Sequence, residues 1–142
     1  MGLFGKLFGK EAELPQLDPS SPAASKLNEY KSALEPFVSK VNDRMEFVPA
    51  GDTVYAYIGK PPDTFGLVWF ENNRVINFKT ITADKGLEQK QIQIIFGQLG
   101  EAYAAAVSAP RYETVIGGKK VIVLPSDHLA GKIGEIVHSV TG

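Results

Sequence analysis

Cysteine is absent from the 142 residues. Its absence removes disulfides, a thiolate nucleophile, iron–sulfur ligation and thiolate-held zinc. Histidine is scarce, with two in all. His128 and His138 stand too far apart for the one-turn spacing that lets two imidazoles of one helix share a metal. A charge excess of either sign is also missing: 15 Lys and Arg face 16 Asp and Glu, for a net charge of −1. The chain therefore lacks the basic stripe of a nucleic-acid binder and has no acidic or basic tail. No run approaches the eighteen or more apolar residues of a membrane-spanning helix. Lys6 and Lys10 interrupt any signal-peptide core, and no small-residue cleavage site follows. Met1-Gly2 opens like a myristoylation signal, but Lys6 stands where that pattern needs Ser or Thr. The expectation is a cytoplasmic protein, peripheral to the inner membrane surface if its N-terminus docks on lipid.

What is present begins with a repeat. Leu3-Phe4-Gly5-Lys6 is followed at once by Leu7-Phe8-Gly9-Lys10. On a helix, Leu3, Phe4, Leu7 and Phe8 fall on one side, Lys6 and Lys10 flank that stripe, and the glycines lie opposite. Burial of Leu or Phe contributes ~1.5–3 kcal/mol each when complete, and each Lys adds about 1 kcal/mol near an anionic surface. A ten-residue segment with three glycines is a marginal helix in water. Weak, reversible docking on a protein groove or an anionic bilayer surface is expected, set against a tail that binds nothing.

Residues 11–21 carry Pro15 and Pro19 among polar residues, ahead of Pro22. They predict an extended tether between a head peptide (1–10) and a single domain (22–142). Ser21 and Pro22 read as cap and first turn of a helix carrying Leu27, Tyr30, Leu34, Phe37, Val38 and Val41, with a kink or break near Glu35 ahead of Pro36. The period then changes to two. Strands are expected at 53–58, 66–71 and 74–81, with a short one at 46–48. Asn72-Asn73 suits a two-residue hairpin turn, and Leu67-Val68-Trp69-Phe70, apolar on both faces, suggests the most central strand.

A second helix is expected over 86–107, capped by Asp84 and buried through Ile92, Ile95, Phe96, Leu99, Tyr103 and Ala106. Strands at 112–116 and 119–124 flank Gly117-Gly118, whose freedom at positive φ a tight turn demands. Ser126 caps a last helix carrying Leu129, Ile133, Ile136, Val137 and Val140. The predicted fold is α+β, in the order α-β-β-β-α-β-β-α, with helices packed on an antiparallel sheet of about five strands.

Each chemical constellation has a simpler reading. Ser126-Asp127-His128 names a hydrolase triad, but adjacent residues cannot converge as one, and a helix start explains them. Gly117-Gly118-Lys119-Lys120 lacks phosphate-loop spacing. Asp52, Asp63 and Asp84 occupy turn positions and define no acid–base pair. Gly97, Gly100, Gly131 and Gly134 each cost a helix about 1 kcal/mol relative to Ala; close packing inside the fold is favoured over a homodimer interface. Tyr55 and Tyr57 share a strand face, and with Trp69 they could floor a ligand pocket between the sheet and the first helix. No catalytic residue, metal or cofactor is expected.

The three strands ahead of the long helix, that helix, and the Gly117-Gly118 hairpin before a closing helix resemble class I type III secretion chaperones over roughly residues 22–142. The resemblance implies a non-catalytic dimer that binds an extended protein segment, although the charge of −1 departs from the usual acidic character. The order is also similar to that of roadblock-type domains, which place two strands before the middle helix and three after. Neither likeness brings a catalytic site, and the favoured expectation is a non-catalytic protein-interaction or adaptor domain. The competing expectation is a small-ligand binder or enzyme using Tyr55, Tyr57 and Trp69.

Overall fold

The computed structural model describes residues 14–61, 63–71, 74–78 and 86–141. The head peptide, Asn72-Asn73, and Asp84 with the end of the expected strand 74–81 lie outside them. Helix α1 (Pro22–Glu29) starts where Ser21 Oγ accepts from Ala24 N at 3.2 Å, with Pro22 in the first turn. The chain turns at Tyr30 into α2 (Lys31–Lys40). The expected break near Glu35 is therefore displaced to Tyr30. There the hydroxyl is fixed on Asp52 O at 2.7 Å, and Pro36 is carried inside α2. Ala23, Leu27, Ala33, Leu34 and Val38 bury one face of the pair.

Six strands follow this pair: β1 (Met45–Pro49), β2 (Val54–Lys60), β3 (Thr64–Glu71), β4 (Arg74–Asn77), β5 (Tyr112–Ile116) and β6 (Lys119–Val123). They form one sheet in the order β4-β3-β2-β1-β6-β5. Every pair is antiparallel except β1 with β6, which run parallel through Glu46↔Ile122 and Phe47↔Val123. The expected five antiparallel strands are thus six in a mixed sheet. The segment expected as a minor strand, β1, lies at its centre, whereas β3 is second from an edge. Glu46 conceals β1 in the sequence, because a charge between Met45 and Phe47 reads as a water-facing position.

Helix α3 (Gln89–Ala105) crosses from β4 to β5, and α4 (Asp127–Thr141) closes the chain. Helix α3 starts at Gln89 rather than 86, and Glu88, not the expected Asp84, is its cap, its N donating to Gln91 Oε1 at 2.9 Å. At the start of α4, Leu129 N donates to Ser126 Oγ at 3.1 Å. The Gly117-Gly118 turn takes φ of 58° and 81°, as the hairpin requires.

Alternation along the strands divides the core into two. Met45, Phe47, Val54, Ala56, Val68, Phe70, Val121 and Val123 face α1 and α2, where Phe37 meets Phe70 edge-on at 5.5 Å. Val48, Tyr55, Tyr57, Leu67, Trp69 and Ile76 face α3 and α4. On that side a run of rings at 5.2–5.4 Å links Tyr57, Phe65, Phe96, Phe78 and Trp69. The sheet is covered on both faces, which explains why β2 and β3 are apolar on both.

Candidate functional site

Tyr55 and Trp69 are register partners on β2 and β3, with Tyr57 opposite Leu67 one step further along the same face. They look towards α4 and α3 rather than the first helices, so the expected floor is on the opposite side of the sheet. Strand alternation sets which residues share a face, but not which helices cover it. Tyr57 is 1% exposed, and its hydroxyl donates to Leu99 O at 2.9 Å. Burial, then the neighbouring Tyr103 and Glu46, push its ionisation far above the usual tyrosine range. Tyr57 is core.

Tyr55 and Trp69 instead line an open cleft of about 610 Å³ with Tyr30, Asp52, Thr53, Glu71 and the Gly131, Gly134 and His138 face of α4. The local fold shapes its walls. Thr53 Oγ1 donates to Phe70 O at 2.6 Å and Tyr30 Oη to Asp52 O, holding the β1–β2 turn. Trp69 Nε1 donates to Glu71 Oε2 at 3.1 Å, which orients that carboxylate. A Cβ on Gly134 would lie 3.4 Å from Tyr55 Oη, an ordinary van der Waals contact, so α4 passes close to Tyr55 here. A Cβ on Gly131 would meet nothing within 4 Å, so packing does not account for that glycine. Burial, then the charges of Asp52 and Glu71, raise the Tyr55 hydroxyl above its ordinary ionisation.

A second polar centre was not foreseen in the sequence. Glu46, 1% exposed, accepts from Arg111 Nε at 2.9 Å and from the Tyr103 hydroxyl, and pairs with Arg44 Nη1 at 2.8 Å. The Arg111 guanidinium lies 5.3 Å from the centre of the Tyr103 ring, and its Nη1 donates to Val107 O and Ala109 O at 3.2 Å each. Tyr103 is held protonated above its ordinary range by burial first, then by its bond to Glu46 and that group's charge, against the opposing effect of Arg111 and Arg44. The carboxylate is saturated by its partners. The centre therefore ties β1 to the end of α3 and the approach to β5. Its one sequence signal is Arg44 and Glu46 two apart; Tyr103 and Arg111 are remote in the chain.

The third feature is the edge of β5. Residues expected as a free tether are docked on it: Glu113 N donates to Pro15 O at 2.9 Å and Leu17 N to Glu113 O at 2.8 Å, in parallel register. The Glu113 carboxylate accepts from Leu14 N and Gln16 Nε2, both at 3.4 Å. Leu3, Phe4, Lys6, Leu7, Phe8 and Lys10, the expected docking residues, lie outside the described residues. Ser126 acts as a helix cap, while His128 and His138 are exposed and line different clefts. Among the described residues no three His, Asp or Glu side chains cluster to hold a metal, and no helix is long and apolar enough to cross a membrane. No family model, curated protein or solved structure matches this chain.

Proposed function

We propose that the chain is a non-catalytic protein-interaction domain, adaptor or chaperone-like in kind, whose N-terminal peptide docks on a partner and whose β5 edge seats the linker behind that peptide. The observation that supports this reading is the pairing of Pro15–Leu17 with Glu113, because it shows the edge accepting an extended segment through main-chain bonds. The Glu113 carboxylate also accepts from Leu14 N and from Gln16 Nε2, and the second bond adds selectivity for the side chain that sits there. Leu14 follows Lys10 by four residues and Leu3 by eleven, so the covalent contour keeps Lys10 within about 14 Å of the seated segment and Leu3 within about 40 Å. A docking peptide restrained in this way loses less entropy on binding than one on a free tail.

The test is capture of partners from lysate by the full chain, by Phe4→Ala/Phe8→Ala and by Leu17→Pro, which removes the N–H that bonds Glu113 O. The proposal expects capture to disappear in the double variant and weaken in Leu17→Pro. Sedimentation with anionic vesicles separates a protein groove from a lipid surface: only lipid attachment should weaken steeply with salt, since screening acts over about 10 Å at 0.1 M. Equal behaviour of all three proteins in both assays would refute the reading.

A further inference from the structure

The cleft of Tyr55 and Trp69 carries an inference that does not depend on the edge of β5. Its lining carries three carboxylates and one basic ring, His138 on α4. Asp52 on the β1–β2 turn, Glu71 at the end of β3 and Asp127 in the first turn of α4 line it, with no lysine or arginine among the lining residues. Of the cations around it, Arg74 is the register partner of Glu71 and exposed. Lys26 donates to Gly51 O at 2.8 Å and pairs with Glu29 at 3.6 Å.

Tyr55 adds an independent sign. It is only 7% exposed and lines the cleft. Its hydroxyl makes no hydrogen bond within the described residues, the exposed remainder being open to the cleft. No buried side-chain oxygen among the described residues lacks a partner, so this hydroxyl is reached from the cleft, and a ligand that bonds it takes the place of water there. Gly131 also lines the cleft, and a Cβ there would meet nothing within 4 Å, so the wall of α4 leaves this side of the cleft open.

We propose that this cleft binds a small organic cation bearing N–H groups, a guanidinium or a primary ammonium, with Asp52 and Glu71 as its carboxylate partners and Tyr55 Oη as a neutral acceptor. The volume lies in the range of small-molecule sites, and directional acceptors favour an N–H cation over a quaternary one. The aromatic lining is compatible with a cation.

The chain has one tryptophan, and it lines the cleft, so its emission reports occupancy directly. The full chain is titrated with agmatine, read by Trp69 fluorescence and by calorimetry. A saturable response is expected, with choline weaker by about tenfold and succinate silent. Asp52→Asn and Glu71→Gln should each weaken agmatine about threefold, and together about tenfold. Gly131→Leu should block it, with folding checked by circular dichroism. Should Gly131→Leu fail to fold, Asp52→Asn, on an exposed turn, carries the test. An acetylated and amidated arginine binding more tightly than agmatine would assign the same chemistry to a partner's side chain; the reverse order would assign it to a free ligand. No saturable response to agmatine, equal binding of choline, or binding unchanged in the double carboxylate variant overturns the proposal.

Discussion

Replacing Glu46 by alanine is the most demanding test of the packing described above. The carboxylate is 1% exposed and is shared by a largely buried Arg111, the Tyr103 hydroxyl and a half-exposed Arg44. Its removal strands the Arg111 charge and a buried phenol, and breaking a buried pair on one side costs about 3–5 kcal/mol. The Arg44 contact, open to water, contributes under about 1 kcal/mol. Against a total stability of about 5–15 kcal/mol, such a loss is severe. With a urea slope of about 2 kcal/mol per M, the unfolding midpoint should fall by roughly 2 M. Tyr103→Phe, which deletes one bond to a charged group, should cost about 1.5–3 kcal/mol. The Glu46→Met/Arg111→Met double variant should be less destabilised than its single variants sum to, by about 2 kcal/mol, because neither charge is left behind. A Glu46→Ala loss below about 1 kcal/mol, or strict additivity in the double variant, would refute the assignment of this centre as a tie between β1 and α3.

Trp69→Ala should cost about 3–5 kcal/mol through lost burial and a cavity, and the intact protein should emit as a buried indole; emission of a hydrated indole would contradict the packing against Phe78. Gly117→Ala should destabilise by about 2–3 kcal/mol, since φ is 58° and the new Cβ would lie 3.0 Å from Glu35 O, whereas Gly118→Ala, at φ 81° in open space, should cost about 1–2 kcal/mol; denaturant titration ranks the two. Stability should fall at alkaline pH: Tyr55, Tyr57 and Tyr103 keep their protons in the fold above the ordinary value of 10.0, chiefly through burial. Their contribution is complete below pH 10 and is lost as pH rises through the raised folded values. Unfolding at pH 9 and 11, with phenolate absorbance in native and urea-unfolded protein, checks this; identical phenolate titrations in the two states would exclude it.

Local chemistry was legible in the sequence. Ser21 and Ser126 cap their helices, Gly117-Gly118 makes the turn, and Tyr55 and Tyr57 share a face apart from Val54 and Ala56, because each depends on neighbours a few residues away. Long-range assignments were not. The central place of β1 depends on Arg111 and Tyr103 neutralising Glu46 from far along the chain. The aromatic floor was found but set beneath the wrong helices, since strands apolar on both faces leave the choice of cover open. Pro36 suggested a break that the structure places at Tyr30, where a hydroxyl reaches the β1–β2 turn. The docking of Pro15–Leu17 has no apolar period to announce it, because main-chain bonds carry it.

The parallel contact of β1 with β6 has a consequence during synthesis. Met45–Pro49 leaves the ribosome long before Lys119–Val123 does, by roughly 4–15 s at 5–20 residues per second. Through that interval the four-stranded meander ends on an open strand of Met45, Phe47 and Val48, the kind of edge on which nascent chains aggregate. Glu46 stands on that edge between Met45 and Phe47, and a carboxylate is expensive to bury against a stranger. Arg111 then emerges just ahead of the hairpin that carries β6 and brings the counter-charge with the correct strand. The same residue that secures the finished sheet protects the unfinished one.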